Sequence, residues 1–219
     1  PPDADGAVTQ VSDAKGGSPL PETARELPDH DFQLVPHADL GAPKQEILTR
    51  LTVEIPWRQE AITLFGRTHA QPRLICWMGD PGYVYRYSGM VHKPQPWHPL
   101  VSNLRARVEE LADAHFNGVL LNYYRDGNDS MGFHADDEPE LGARPVIASL
   151  SFGAARMLYL RHRQDRALPT QKLSLQDGSL LVMRGNSQRD WKHAIPKMRR
   201  IMEPRINLTF RQIRFPTII

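Results

Sequence analysis

The sequence predicts a mainly β domain with flanking helices, built as an antiparallel barrel or double sheet. Three observations carry the prediction. Only two segments repeat apolar residues at helical spacing, and both lie in the first half of the chain. Nine short segments instead alternate or run apolar between Gly, Pro, Asn and Asp, as strands between turns do. Helices first, then many short strands, suit a layer of helices packed on antiparallel sheet.

Taken in order, residues 1–30 hold five prolines, three glycines and no aromatic residue. Such a stretch buries too little apolar surface to offset its ordering, so residues 1–31 are expected to be a disordered tail before a single domain over 32–219. Phe32, Leu34 and Val35 open that domain with a strand-like run. Residues 41–54 place Ile47, Leu48, Leu51 and Ile55 on one helical stripe that stops at Pro56. Residues 99–114 begin with Pro99 in the first turn, and Leu100, Leu104, Val108 and Leu111 form the buried stripe. Strands are expected at 73–78, 83–87, 118–124, 131–135, 145–152, 155–162, 171–175, 179–184 and 205–213.

Composition narrows the function classes. With 40% hydrophobic and 24% charged residues and no long apolar run, the chain has no membrane-spanning helix and nothing that reads as a secretory signal. Cys76 is the only cysteine, which excludes an internal disulfide and a cysteine-based zinc site. It fits a reducing compartment, the cytoplasm of a bacterium or the nucleus and cytoplasm of a eukaryote. Residues 1–31 carry two basic and seven acidic side chains, so the remainder, with 25 basic and 18 acidic, is distinctly positive. That balance is compatible with a polyanionic partner, as it is with many enzymes that have none.

The most informative segment is Pro204-Arg205-Ile206-Asn207-Leu208-Thr209-Phe210-Arg211. On a strand its polar residues share one face and its apolar residues the other. A solvent-facing polar side is the ordinary meaning of such alternation. The second meaning is an interior pocket in which Arg205 and Arg211 take a small ligand with two carboxylates, since arginine stays charged and binds carboxylates bidentately. His134-Ala135-Asp136 is the second constellation. Alone it is short enough to arise by chance among nine histidines. It gains weight from His193, because two His and one carboxylate leave three positions open on non-haem Fe(II), where a 2-oxo acid and O₂ can bind.

The runs Leu121-Asn122-Tyr123-Tyr124, His134-Ala135-Asp136-Asp137-Glu138, Ile147-Ala148-Ser149-Leu150-Ser151-Phe152-Gly153 and Pro204–Arg211 resemble the AlkB-type nucleic-acid demethylases. The likeness extends from about Gln71 to Gln212. Gln71-Pro72-Arg73, Trp97-His98-Pro99 and Asp190-Trp191-Lys192-His193 stand nearer to a human member than to the founding bacterial enzyme. The resemblance implies a double-stranded β-helix (jelly-roll) core, with Fe(II), 2-oxoglutarate as co-substrate and O₂. It assigns His134, Asp136 and His193 to the metal. Arg205 would pair with the distal carboxylate of 2-oxoglutarate with help from Tyr124 and Asn207, and Arg211 and Asn122 would lie near its other end. Residues 125–130 lie in a turn one residue longer than the founding enzyme's and are not carried across.

The implied reaction oxidises an N-methyl group of 1-methyladenine or 3-methylcytosine in DNA or RNA, with release of formaldehyde, succinate and CO₂. Alkylated single strands are the expected substrate, and a monomer the expected state. Asp137 and Glu138 would face the cationic base, or be merely solvated. Arg73, Trp77, Tyr83 and Tyr85 fall where the family has its nucleotide-recognition lid, where aromatic faces and arginine planes stack on bases; the tyrosines suit strand packing equally. Other readings are a same-fold oxygenase acting on a protein or small molecule, a non-catalytic jelly-roll binding module, and a metal-dependent hydrolase. The retained metal residues and paired arginines speak against the last two.

Overall fold

The computed structural model describes residues 30–64, 67–83, 85–87 and 90–214, and only the backbone at 62–64, 67–68, 85–87 and 90–92. Positions 1–29 of the expected tail lie outside the described residues, as does the side chain of Tyr85. The chain runs β1 (Phe32–Val35), α1 (Lys44–Glu54), β2 (Ala61–Leu64), β3 (Arg67–Ala70), β4 (Leu74–Gly79), β5 (Tyr85–Tyr87) and β6 (Met90–His92). It continues through α2 (Pro99–Ala112), β7 (Gly118–Tyr124), β8 (Met131–His134), β9 (Ile147–Gly153), β10 (Arg156–His162), β11 (Gln171–Leu175) and β12 (Leu180–Met183). A single-turn helix α3 (Ser187–Asp190), β13 (Trp191–Ile195) and β14 (Arg205–Arg211) complete it.

Both helices stop for local reasons. Pro43 holds an extended ψ of 131° just before α1, so that helix starts at Lys44 rather than at residue 41. At the other helix, Asp113 takes a left-handed φ of 43° and its N–H donates to the Glu109 carbonyl, which ends α2 two residues before the spacing suggests. Asp is among the few residues that enter that conformation readily.

A six-stranded sheet in the order β1-β12-β9-β14-β7-β4 faces a four-stranded sheet in the order β11-β10-β13-β8, and every pairing is antiparallel. This is the double-stranded β-helix core that the resemblance implies. Alternation sorts the large sheet into two apolar layers. Leu121, Leu150, Val182, Ile206, Leu208 and Phe210 pack under α1 and α2 against Ile47, Leu51, Leu104 and Val108. The opposite parity sends Ile75, Trp77, Leu120 and Leu181 into the space between sheets, where they meet Leu158, Leu160, Leu173 and Ile195. Two hairpins, β2-β3 and β5-β6, form small separate sheets. Among the described residues no helix is long and apolar enough to cross a membrane.

The expected strands all appear, with ends shifted by one or two residues, except that 205–213 stops at Arg211. The sequence reading does not find β2, β3, β6 or β13. The helical layer also explains why β14 has no solvent side: all seven of its residues are buried.

Gly118 is opposite Arg211 on β14 and Gly79 on β4, and a Cβ there would run into the Trp77 indole. Trp77 is itself buried, with little room to yield. Gly118→Ala is therefore expected to cost about 1–3 kcal/mol, the usual range for overpacking. Urea unfolding checks this, and an unchanged midpoint would contradict the packing described.

Candidate active site

The cavity between the sheets is lined on one side by β14 and β7. Cross-strand pairing sets Arg205 against Tyr124 and Asn207 against Asn122, so the four side chains share one face. Strand β9, on the other side of β14, contributes Ser149 and Ser151. Arg205 Nη2 donates to Ser151 Oγ at 2.9 Å, and Asn207 Nδ2 to Ser149 Oγ at 2.8 Å. The buried polar face of β14 is thus a lining, and the solvent-facing alternative does not hold.

Strands β8 and β13 supply the other wall, with His134 directly opposite His193 in the register. Their rings lie 4.2 Å apart at 56°. Asp136 comes just after β8 rather than on it, and its placement needs a partner. Its N–H donates to Gln188 Oε1 on α3 at 2.9 Å, while Arg211 Nη2 donates to its Oδ1 at 2.7 Å. The second oxygen, Oδ2, is buried without a hydrogen bond and stands 4.0 Å from His193 Nε2. His134 Nδ1 meets the Gly132 carbonyl at 2.9 Å. A carbonyl only accepts, so Nδ1 carries the hydrogen and Nε2 keeps the lone pair.

The electrostatics keep these groups in the forms that metals bind. Burial, reinforced by the charge of His134, holds His193 down to about 3, so it is neutral at ordinary pH. His134 is lowered by burial too, against the pull of Asp136. Burial alone would raise Asp136, but Arg211 and the two histidines outweigh it and hold the carboxyl at about 2. Two neutral imidazoles and an ionised carboxylate with an unsatisfied buried oxygen fit a divalent iron. Among the described residues no group of three or more His, Cys, Asp and Glu side chains is already gathered as a metal site, and the fit rests on the donor chemistry of these three.

The sequence profile of the 2OG-Fe(II) oxygenase superfamily matches residues 38–211. The chain belongs to that superfamily, in its AlkB-type branch. It is 41% identical over 175 residues to Homo sapiens alpha-ketoglutarate-dependent dioxygenase alkB homolog 3, covering 76% of this chain and 60% of that protein. It is 38% identical over 181 residues to Homo sapiens DNA oxidative demethylase ALKBH2, covering 78% of this chain and 69% of that protein. The chain thus spans about 60% of the length of the alkB homolog 3 proteins that it matches. The solved structure of OsALKBH1 superposes with a TM-score of 0.59 at 16% identity, covering 83% of this chain and 98% of that one, and shares the fold. The superfamily's reaction uses Fe(II), 2-oxoglutarate and O₂.

The structure brings together His134, Asp136, His193, Asn122, Tyr124, Arg205, Asn207 and Arg211 around one cavity. Arg211, expected near the co-substrate, is bound to Asp136. Arg73 and Trp77, expected in a base-stacking lid, are not on an exposed surface. They share the parity of Ile75, and that parity faces the space between sheets, so both are buried; Arg73 Nε donates to Asn122 Oδ1 at 2.9 Å. Tyr83 is half-buried against the same core. Asp137 is exposed and paired with Arg163 Nη1 at 2.6 Å, and Glu138 is half-buried beside it. Trp191 packs edge-on against Phe32 and His162.

Gln188 is absent from the sequence reading, and Ser149 and Ser151 appear there only within a run that carries the resemblance, with no role in the site. The serines were detectable, since they alternate on β9 as the polar residues do on β14. Gln188 gives no local signal, because its partner lies 52 residues away.

His193 makes a pH prediction for the metal-free protein. The unfolded chain takes up a proton near the ordinary 6.5, whereas the folded one resists until about 3. Acidification below 6.5 therefore removes stability, by at most roughly 1.4 kcal/mol per pH unit. His193→Gln cannot titrate and should lose less stability between pH 6.5 and 4. Urea melts at matched pH check this; parallel curves for the two proteins would refute it.

Proposed function

We propose that the chain demethylates N-alkylated bases oxidatively, 1-methyladenine and 3-methylcytosine in DNA or RNA, with a preference for single strands. The observation that carries the reading is the single cavity. It joins two histidines and a buried carboxylate at one wall to Arg205, Asn207 and Tyr124 at the other. Bound Fe(II) with 2-oxoglutarate and O₂ supplies a two-electron oxidation that puts one oxygen atom into an N-methyl C–H bond and the other into succinate. His134, Asp136 and His193 hold the metal. Arg205 takes the distal carboxylate in its fork, with Tyr124 and Asn207 fixing the chain of the acid. Arg211 keeps Asp136 ionised and oriented. The hydroxymethyl product then loses formaldehyde as its hydroxyl gives up a proton and the C–N bond breaks.

Support for a nucleic-acid substrate comes from relatives, one of which is a DNA oxidative demethylase by name, and from the outer face of the small sheet. Strands β8, β10, β11 and β13 contain no acidic residue. Their outward parity presents exposed Arg161, Lys172 and Lys192. Arg161 stacks 3.9 Å from the centre of the Phe133 ring, and Lys172 lies 5.2 Å from that of Tyr159. Cations set among aromatic rings are what a flexible single strand binds through phosphates and bases. Asp137 and Glu138, next to the metal residues, supply negative charge for a cationic base.

Formaldehyde release from methylated oligonucleotides tests the reading. Turnover should need both Fe(II) and 2-oxoglutarate and vanish in His134→Ala; turnover without 2-oxoglutarate would refute it. Lys172→Glu with Lys192→Glu should raise KM for a long oligonucleotide roughly tenfold at low salt and flatten its salt dependence. An unchanged salt slope would remove this face from the substrate path.

A further inference from the structure

Arg156 opens β10 and is among the most deeply buried large side chains, 1% exposed. Its guanidinium donates to three backbone carbonyls: Asp126 at 3.1 Å, Asp129 at 2.8 Å and Pro196 at 2.8 Å. Those carbonyls belong to the turn between β7 and β8 and to the residue after β13, so one side chain ties two connections together. The guanidinium carbon also lies 5.5 Å from the centre of the Tyr124 ring, and that of Arg205 lies 5.2 Å from the same ring.

The charge at this end of the cavity is unbalanced. Arg205 is 2% exposed; its Nη2 donates to Ser151 Oγ, and its Nε and Nη1 have no acceptor among the described residues. Asp129, whose carbonyl Arg156 holds, has both carboxylate oxygens taken by Arg125, at 2.7 and 2.9 Å. Two buried guanidinium groups therefore share one tyrosine ring, and among the described residues no carboxylate is hydrogen-bonded to either. Burying charge without a counter-charge is costly, and a ligand carboxylate brought to Arg205 relieves the cost of both. Burial lowers both arginines; Arg205 is brought down to about 10, with Tyr124 pulling it up and the charge of Arg156 adding to the depression.

We propose that Arg156 is a specificity-determining positioning residue, which acts through Tyr124 and the 126–129 turn to make the closed end of the cavity accept a 2-oxo acid with a second carboxylate and reject one without. This rests on the co-substrate reading above. Arg156 does not touch the acid. It fixes the ring that the acid meets and adds a second positive charge behind it. Simple pinning of two connections would stabilise the fold but would treat acids with and without the distal carboxylate alike.

Binding of 2-oxoglutarate and of 2-oxobutyrate to the Mn(II)-loaded chain, measured by calorimetry, separates these roles. The parent should prefer 2-oxoglutarate strongly. Arg156→Gln, which removes the charge, should narrow that preference at least tenfold, mainly by weakening 2-oxoglutarate. Arg156→Lys, which keeps the charge but loses the fork, should retain most of the preference despite a lower Tm. An unchanged preference in Arg156→Gln, or its loss in a folded Arg156→Lys, would overturn the proposal. If Arg156→Gln does not fold, Arg156→Met, which also removes the charge, takes its place with the same expected narrowing, and an unchanged preference there overturns the proposal. A parent that binds both acids equally would overturn the co-substrate reading itself, and the proposal with it.

Discussion

Strand β14 sits between β9 and β7, and neither of its faces meets water. On one side Ile206, Leu208 and Phe210 are sealed under α1 and α2; on the other Arg205, Asn207, Thr209 and Arg211 look into the cavity. Two arginines on a fully buried strand are tolerable only where something answers their charge. Arg211 is answered from within the chain by Asp136, at 2.7 Å. Arg205 meets the Ser151 hydroxyl and the Tyr124 ring, and it keeps donors without acceptors among the described residues. The difference divides the cavity into a self-compensated end, where the metal residues are, and an end that calls for an anion.

The self-compensated end is built from parts that constrain one another. Antiparallel register puts His134 across from His193. The segment after β8 swings Asp136 inward, where Gln188 and Arg211 hold its backbone and one oxygen. The remaining oxygen faces the histidines with no partner of its own. Burial that would ordinarily protonate a carboxylate is overruled by Arg211, so the same buried ion pair both positions the ligand and keeps it charged.

What the sequence made legible follows strand parity. The alternation in β14 and the identical parity of Asn122 and Tyr124 survive as cross-strand neighbours, because side-chain direction on a strand is written in the residue order. Parity also explains the burial of Arg73 and Trp77, which share the face of Ile75 between the sheets. Strand β13 escaped notice because five residues beginning Trp-Lys-His follow a single helical turn, too short for periodicity to register. The hairpin strands β2, β3 and β6 are shorter still. Asp136 lies beyond the end of β8, held by a glutamine that no local pattern announces. Arg156 was invisible for a similar reason, since backbone carbonyls 27 to 40 residues away satisfy it. Family membership adds what parity lacks, the identity of the metal and co-substrate that such a cavity takes.

The central claim is that one cavity holds a metal and a dicarboxylate together. Its most direct test is an anaerobic equilibrium titration of 2-oxoglutarate into the protein with and without one equivalent of Fe(II). The account predicts one molecule of acid per chain, bound markedly more tightly when iron is present, because the metal residues and Arg205 grip opposite ends of the same molecule. Equal affinity with and without iron would contradict it.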